Sequence, residues 1–180
     1  MTKILFVCLD NSCRSLMAEY IVKDYVDELM MDKELYVESD GTLEGENGEA
    51  AKKVLGNHWI NCDGHKARRV IREDYDNFDY IVCMDRGNIE AVKEITGGDP
   101  QKKICLLMSF PDDTGDDIPD PMVTNDYEQA YDDIHFGCRG LLWEIMTKDE
   151  PETDKIFDSR NEDIDYLISL FQKPWDNNEG

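Results

Sequence analysis

The sequence predicts an α/β fold, with three layers in which a four-stranded parallel sheet is flanked by helices. Short apolar runs of strand length alternate with longer stretches whose apolar residues recur at helical spacing. Strands joined through crossover helices pair in parallel, so this alternation favours a parallel sheet. A length of 180 residues suits one domain with a short tail.

Four compact apolar runs are the expected strands. They cover residues 3–7, 35–39, 79–84 and 103–108. The carboxyl ends of parallel strands meet at one edge of an open sheet, which is where ligands bind. The loops after Val7, Ser39, Met84 and Met108 should therefore share one functional edge.

Between the predicted strands, apolar residues recur at the spacing of an α-helix. The predicted helices cover 15–31, 49–55 and 88–95, and a long last helix follows a Pro- and Asp-rich loop at 111–123. We expect Asn125 to be the N-cap of the last helix, with Glu128 completing a capping box. Its inner face should carry Tyr127, Tyr131, Ile134, Cys138, Leu141 and Ile145.

Composition separates residues 1–148, the expected domain, from 149–180, an acidic C-terminal extension with room for one short helix. The formal net charge of −22 disfavours nucleic acid and anionic membranes as partners. No apolar run approaches the roughly 20 residues of a membrane span, and the N-terminal run is too short for a signal peptide. We therefore expect a cytoplasmic protein whose six cysteines serve as thiols, in a metal site or in catalysis, rather than in a disulfide framework.

The strongest local signal is the segment 8–15, which joins the first strand to the first helix. Cys8 and Arg14 are separated by five residues, and the hydroxyl of Ser15 follows the arginine. Backbone N–H groups in such a loop and at the helix N-terminus can hold a phosphate. The expected phosphate-binding or supporting residues are Leu9, Asp10, Asn11, Ser12, Cys13 and Ser15.

Three side chains of this segment have predicted chemical roles. Arg14 supplies a bidentate, permanently charged clamp for the phosphate. The positive environment favours the thiolate form of Cys8, the expected nucleophile. Ser15 can hydrogen-bond the sulfur and ease its departure from a phospho-cysteine intermediate. The same spacing recurs at 62–68 without a preceding strand or a following hydroxyl, so Cys62 is interpreted as structural.

Hydrolysis of a phosphate ester also needs a general acid for the leaving oxygen. Asp120 is the candidate, because prolines on both sides stiffen a loop that should lie at the functional edge. An ordinary Asp-Pro turn explains the same residues equally well. The other aspartates of this loop lack the spacing of a calcium loop, and neither a metal nor another cofactor is predicted.

Taken together, these segments resemble the low-molecular-weight protein tyrosine phosphatase family over residues 3–147. The matching segments, in family order, are 8–15, 39–42, 65–68, 78–85 with Asn88, and Asp120-Pro121. The resemblance implies the fold predicted above and metal-free hydrolysis of phosphotyrosine. A phosphorylated protein or a small aryl phosphate would be the substrate.

The resemblance also implies roles for individual residues. Cys8 matches the nucleophile, Arg14 the clamp, Ser15 the thiolate partner and Asp120 the acid. Asn11 matches an asparagine held in a strained backbone conformation by hydrogen bonds involving Ser39 and His65. Cys13 matches a second loop cysteine that can form a reversible disulfide with Cys8.

Several positions depart from the family pattern. Asp10 replaces a glycine, and a carboxylate there would repel phosphate unless it points to solvent. Leu16 replaces a proline, while Met122 and Gly45 replace aromatic residues, so the cleft should be wider and less aromatic. Ser12 stands where arginine phosphatases of this family have threonine, which leaves phosphoarginine open as a substrate.

Two alternatives remain at the level of sequence. A thioredoxin-linked arsenate reductase has a similar loop, but it needs two further cysteines near the end of the third strand, where only Cys83 is found. A catalytically weak phosphate-binding regulatory protein would also fit Asp10 and the acidic extension. The oligomeric state is not indicated.

Overall fold

The structure is a computed structural model that describes residues 1–45, 48–111 and 115–148. The predicted extension at 149–180 lies outside the described residues. Four strands form one sheet: β1 (Thr2–Cys8), β2 (Leu35–Gly41), β3 (Tyr80–Cys83) and β4 (Ile104–Leu106). All pairs are parallel, in the order β2–β1–β3–β4. The predicted parallel four-stranded sheet is confirmed.

Helices connect the strands as the alternation predicted. They are α1 (Arg14–Glu28), α2 (Glu49–Asn57), α3 (Asp74–Asn77), α4 (Arg86–Thr96), α5 (Pro121–Thr124) and α6 (Tyr127–Thr147), with a 3₁₀ turn at Leu107–Ser109. The sequence did not predict α3, α5 or the 3₁₀ turn, because each is too short to show a periodic pattern. Within the described ranges, no helix is long and apolar enough to span a membrane.

Strand β1 is an interior strand of the sheet, and the side chains on its two faces belong to two separate core clusters. Ile4, Phe6 and Cys8 pack with the residues of α1 and α6, whereas Leu5 and Val7 pack with those of α3 and α4. Side chains alternate between the two faces of a strand, so Cys8 points to the α1 side at the carboxyl end. The sulfur therefore lies at the functional edge.

The inner face of α6 is buried largely as predicted. Tyr131, Ile134, Cys138 and Leu141 are buried in the larger cluster, and Tyr127 and Ile145 are partly buried against it.

The predicted N-cap of α6 was wrong by one residue. Asp126 caps the helix by accepting a backbone N–H, while Asn125 adopts a left-handed conformation (φ 57°) that ends α5. Glu128 does not complete a capping box, because its carboxylate contacts Asn57 at 3.2 Å and His58 at 3.0 Å. The short helix α5, invisible in the sequence pattern, shifts the start of α6.

Close packing of α6 on the segment after β4 predicts the effect of a glycine substitution. A Cβ at Gly140 would lie 2.6 Å from the backbone nitrogen of Pro111. We expect Gly140→Ala to lower the free energy of unfolding by about 1–3 kcal/mol, because the backbone must shift. Gly56→Ala is the matched control: its Cβ meets no atom within 4 Å in α2, and it should stabilise by up to about 1 kcal/mol. Urea denaturation measures both, and equal stability of Gly140→Ala and the unmodified chain would contradict this packing.

Candidate active site

Residues 8–15, here called the catalytic loop, connect β1 to α1 and bring Cys8 next to Ser15. Cys8 is 2% exposed, and its Sγ lies 3.1 Å from Ser15 Oγ. The same hydroxyl lies 3.2 Å from the backbone carbonyl oxygen of Asp40. A hydroxyl has one proton, so Ser15 can donate either to the sulfur or to this carbonyl. It can therefore donate to a thiolate and return to the carbonyl when the sulfur is covalently occupied.

Asn11 holds the middle of the catalytic loop in shape. Its backbone is left-handed (φ 57°), a conformation that costs free energy in residues other than glycine. Its fully buried side chain donates to Ser39 Oγ at 2.7 Å and to Ser15 Oγ at 3.0 Å, and it accepts from the backbone N–H of Arg68 at 3.1 Å. These hydrogen bonds offset the backbone strain and join the loop to β2 and to the segment before α3.

His65 and Glu19 complete the support of the loop. His65 Nε2 lies 3.2 Å from the carbonyl oxygen of Asn11. A carbonyl only accepts, so Nε2 must carry the proton. Burial lowers the pKa of His65, which favours the neutral ring. Glu19 accepts a hydrogen bond from Ser39 and lies 3.7 Å from His65 Nδ1. Sequence reasoning missed Glu19, although it lies one helical turn after Ser15 on the same face.

Arg14 is a buried guanidinium with three oxygen partners. One of its terminal nitrogens, Nη1, donates to Asp85 Oδ2 at 2.7 Å and to the backbone carbonyl of Ile118 at 2.8 Å. The other, Nη2, lies 3.6 Å from Asp120 Oδ2. Asp85 was not assigned a role from the sequence, although it lies two residues after the end of β3, at the predicted functional edge. The structure thus brings three segments together at that edge, which contribute Arg14, Asp85 and Asp120.

Asp120 is oriented by the short helix that follows it. Its Oδ1 accepts the backbone N–H of Met122 at 3.0 Å, and Pro121 occupies the first helical position. Its side chain is about a quarter exposed (26%). One carboxylate oxygen is therefore used as a helix cap while the other faces Arg14.

Asp10 does not point away from the catalytic loop. Its Oδ1 accepts from the backbone N–H of Ser12 at 3.0 Å and from the Ser12 hydroxyl at 2.8 Å. The left-handed residue of the loop is Asn11 rather than Asp10. Leu9 is 44% exposed, and its carbonyl accepts from the backbone N–H of Leu43 at 2.7 Å. The Asp10 carboxylate thus occupies the backbone N–H of Ser12, one of the residues predicted to bind phosphate or support its binding.

Cys13, the second loop cysteine, is only 5% exposed. Burial, followed by the charge of Cys8, raises its pKa to about 12, so Cys13 stays a thiol at neutral pH. All six cysteines are free, and Cys62 lies in the hydrophobic core, in keeping with its structural interpretation. The described part of the chain holds no group of three side chains suited to a metal ion.

An open cleft of about 800 Å³ adjoins the catalytic loop. Its side-chain walls come from Asp10, Ser12, Cys13, Glu44, Glu49, Ala50, Met122 and Tyr127. Three of these are carboxylates, so the mouth is acidic. Met122 and Tyr127 supply the large apolar surface, and the Tyr127 hydroxyl donates to Met122 Sδ at 3.1 Å. Tyr127, assigned from sequence to the inner face of α6, also reaches this cleft.

Comparisons with known proteins agree with this geometry. A profile of the low molecular weight phosphotyrosine protein phosphatase family matches residues 3–152. Low molecular weight protein-tyrosine-phosphatase YfkJ of Bacillus subtilis is 34% identical over 151 residues, covering 81% of this chain and 97% of that protein. PtpA of Staphylococcus aureus, a protein of the same description, is 35% identical over 155 residues, covering 83% and 96%.

Solved structures give the same result. The crystal structure of YfkJ from Bacillus subtilis superimposes with a TM-score of 0.77 at 32% identity, covering 83% of this chain and 98% of that one. The family profile, the sequence matches and the structural superposition each extend over nearly all of the described residues. The chain therefore belongs to the low-molecular-weight protein tyrosine phosphatase family, a family of cysteine-dependent phosphatases.

Proposed function

We propose that Cys8, Arg14 and Asp120 carry out the hydrolysis of phosphotyrosine-type monoesters in this protein. The observation that supports this most strongly is the placement of the Cys8 sulfur 3.1 Å from the Ser15 hydroxyl, at the base of a loop that ends on Arg14. Helix α1 begins at Arg14, so its N-terminal N–H groups, the loop amides and the guanidinium belong to the same short segment as the sulfur. Each of these favours a phosphate held against the sulfur.

In the first step, the Cys8 thiolate attacks phosphorus and the bond from phosphorus to the ester oxygen breaks. Asp120 donates its proton to the departing oxygen, so that an alcohol or phenol leaves rather than an alkoxide or phenoxide. Arg14 and the loop amides neutralise the charge on the phosphoryl oxygens. The product of this step is a phospho-cysteine with Asp120 ionised.

In the second step, water attacks phosphorus and the sulfur–phosphorus bond breaks. Asp120, now a carboxylate, takes a proton from the water. Ser15 donates its hydrogen bond to the departing sulfur, which lowers the free energy of the thiolate. Inorganic phosphate is released, with Cys8 again a thiolate and Asp120 again protonated by the proton taken from water.

The cleft suggests the kind of substrate. An aromatic ring attached to the phosphate can pack on Met122 and Tyr127, since thioether and ring surfaces attract one another. The carboxylates of Asp10, Glu44 and Glu49 at the mouth disfavour acidic neighbours of the phosphorylated residue. We infer a phosphorylated protein of the cytoplasm, with basic rather than acidic residues around its phosphotyrosine, as the partner.

Removal of the sulfur nucleophile tests the central step. We expect Cys8→Ser to reduce turnover of a phosphotyrosine peptide by roughly 10⁴-fold or more, because no covalent intermediate forms. Inorganic phosphate should still bind, because Arg14 and the loop amides are retained. Steady-state kinetics and calorimetry under reducing conditions measure both, with Cys62→Ser as the active control. Retained turnover in Cys8→Ser, or faster turnover of phosphoarginine or arsenate than of phosphotyrosine by the unmodified chain, would contradict the proposal.

The acid role of Asp120 predicts a dependence on the leaving group. Asp120→Asn should slow hydrolysis of phenyl phosphate by roughly 10²–10³-fold, because phenoxide leaves poorly without a proton. Dinitrophenyl phosphate, whose leaving group needs no proton, should slow much less. Asp117→Asn is the matched control, since Asp117 lies in the same loop but pairs with Arg86 at 3.0 Å. Equal slowing of both substrates by Asp120→Asn would remove Asp120 from this role.

The strained backbone of Asn11 predicts different stabilities for two substitutions. Both Asn11→Gly and Asn11→Ala remove the hydrogen bonds to Ser15, Ser39 and Arg68, so both should lower kcat. Glycine adopts φ 57° readily whereas alanine does not, so Asn11→Ala should be less stable than Asn11→Gly by about 1 kcal/mol. Thermal and urea unfolding compare them, and the reverse order of stability would argue against a left-handed residue here.

A further inference from the structure

The end of β2 carries a buried ionisable side chain next to the start of the catalytic loop. Asp40 is fully buried, opposite Val7 of β1. Its Oδ1 accepts a hydrogen bond from Arg68 Nε at 2.8 Å, and its Oδ2 forms an ion pair with Arg68 Nη2 at 2.6 Å. A buried carboxylate carries a large desolvation cost, so its pairing with Arg68 is the main interaction that holds it there.

Two other carboxylates contact the arginine of this pair. Asp74 Oδ1 accepts from Arg68 Nη2 at 3.1 Å, and Glu38 Oε2 lies 3.9 Å from the same nitrogen. The Arg68 side chain is 42% exposed, whereas that of Asp40 is not exposed at all. If the Asp40 charge is lost, Arg68 can therefore turn towards Asp74, Glu38 and solvent.

Both members of the pair touch the catalytic loop through their backbones. The N–H of Arg68 donates to Asn11 Oδ1 at 3.1 Å, and the carbonyl of Asp40 accepts from Ser15 Oγ at 3.2 Å. The N–H of Gly41 donates to the carbonyl of Arg68 at 2.8 Å, which ties the two segments together. On the far side of Ser15 lies the sulfur of Cys8. The orientation of Asn11 and Ser15 thus depends on where the backbones of residues 40 and 68 lie.

We propose that Asp40 is a positioning residue of the active site: its ion pair with Arg68 fixes the backbone groups that orient Asn11 and Ser15 towards Cys8. This inference rests on the proposed role of Cys8 and extends it to a residue that never touches substrate. Ser15 acts on the sulfur as it leaves the phospho-cysteine. Loss of the pair should therefore affect kcat more than phosphate binding, which depends on Arg14 and the loop amides.

The pair also makes this support sensitive to pH. Burial, opposed by the charge of Arg68, raises the pKa of Asp40 to about 7. As the pH falls below neutrality, Asp40 takes up a proton and its charge pairing with Arg68 is lost. Since the folded chain holds this proton at a higher pH than the unfolded chain, Asp40 makes the folded state progressively less stable as the pH rises from about 4 to 7. Ionised Asp40 thus holds the site in place at a cost in stability.

The test compares the unmodified chain with Asp40→Asn from pH 5 to pH 8.5, using p-nitrophenyl phosphate. At pH 8 the kcat of Asp40→Asn should be lower by about tenfold, while inhibition by inorganic phosphate changes by less than about threefold. Towards pH 5 the two kcat values should converge, because Asp40 of the unmodified chain is then protonated. The thermal midpoint of the unmodified chain should also fall more between pH 5 and pH 8 than that of Asp40→Asn.

Glu38→Gln is the matched control, because it removes a carboxylate on the exposed side of the same guanidinium, and it should leave kcat within about twofold at every pH.

Arg68→Lys is a second test that does not depend on the folding of Asp40→Asn. It keeps the backbone N–H and the positive charge but loses the two-pronged guanidinium. Its kcat should also be lower than that of the unmodified chain at pH 8 and approach it towards pH 5. Equal kcat of Asp40→Asn and the unmodified chain at pH 8, or a kcat ratio constant with pH in both variants, overturns the proposal. If the unmodified chain is active and Cys8→Ser is inactive, such a result overturns only the role of Asp40. If the unmodified chain itself is inactive, the proposed function is overturned as well.

Discussion

The side-chain amide of Asn11 is the interaction on which the geometry of the site depends. Its hydrogen bonds reach Ser15 on α1, Ser39 on β2 and the backbone of Arg68, so one buried group joins three segments distant in sequence. The backbone of Asn11 is itself strained, and such strain persists only where the surroundings over-determine the conformation. The catalytic loop is therefore shaped by the packing around it rather than by its own residues alone.

Electrostatics impose a second constraint, because a chain of net charge −22 must hold an anion. We propose that a buried arginine at the start of α1, Arg14, meets this constraint together with the helix N-terminus and the loop amides. Asp85 holds Arg14 firmly, and Asp120 approaches its other nitrogen more loosely, at 3.6 Å. An incoming phosphate can take up this second nitrogen. In the proposed mechanism, Asp85 sets the orientation of the guanidinium, while Asp120 stays available to the leaving oxygen.

The contact between Asp10 and Ser12 also affects how the loop can hold an anion. Its carboxylate accepts the N–H and hydroxyl of Ser12, groups that a phosphate in the loop could also use. A phosphate must therefore compete with Asp10 for this part of the loop. From the sequence we expect Asp10 to repel phosphate unless it points to solvent. In the fold its carboxylate points into the loop, where Ser12 satisfies one of its oxygens.

The sequence by itself determined the parallel sheet, its four strands, the four longer helices and the segment 8–15 between β1 and α1, because apolar periodicity is a local property of the chain. It also pointed to Asp120, since two flanking prolines and the edge rule needed no knowledge of packing. It gave no role to Glu19, Asp40 or Asp85, and it misplaced the cap of α6. The cap was misplaced because the neighbouring helix α5 is too short to show a periodic pattern. Only the tertiary structure decided the contacts of the three carboxylates, because the burial of a carboxylate and the choice of its partner are set by residues tens of positions away, which meet only when the chain is folded.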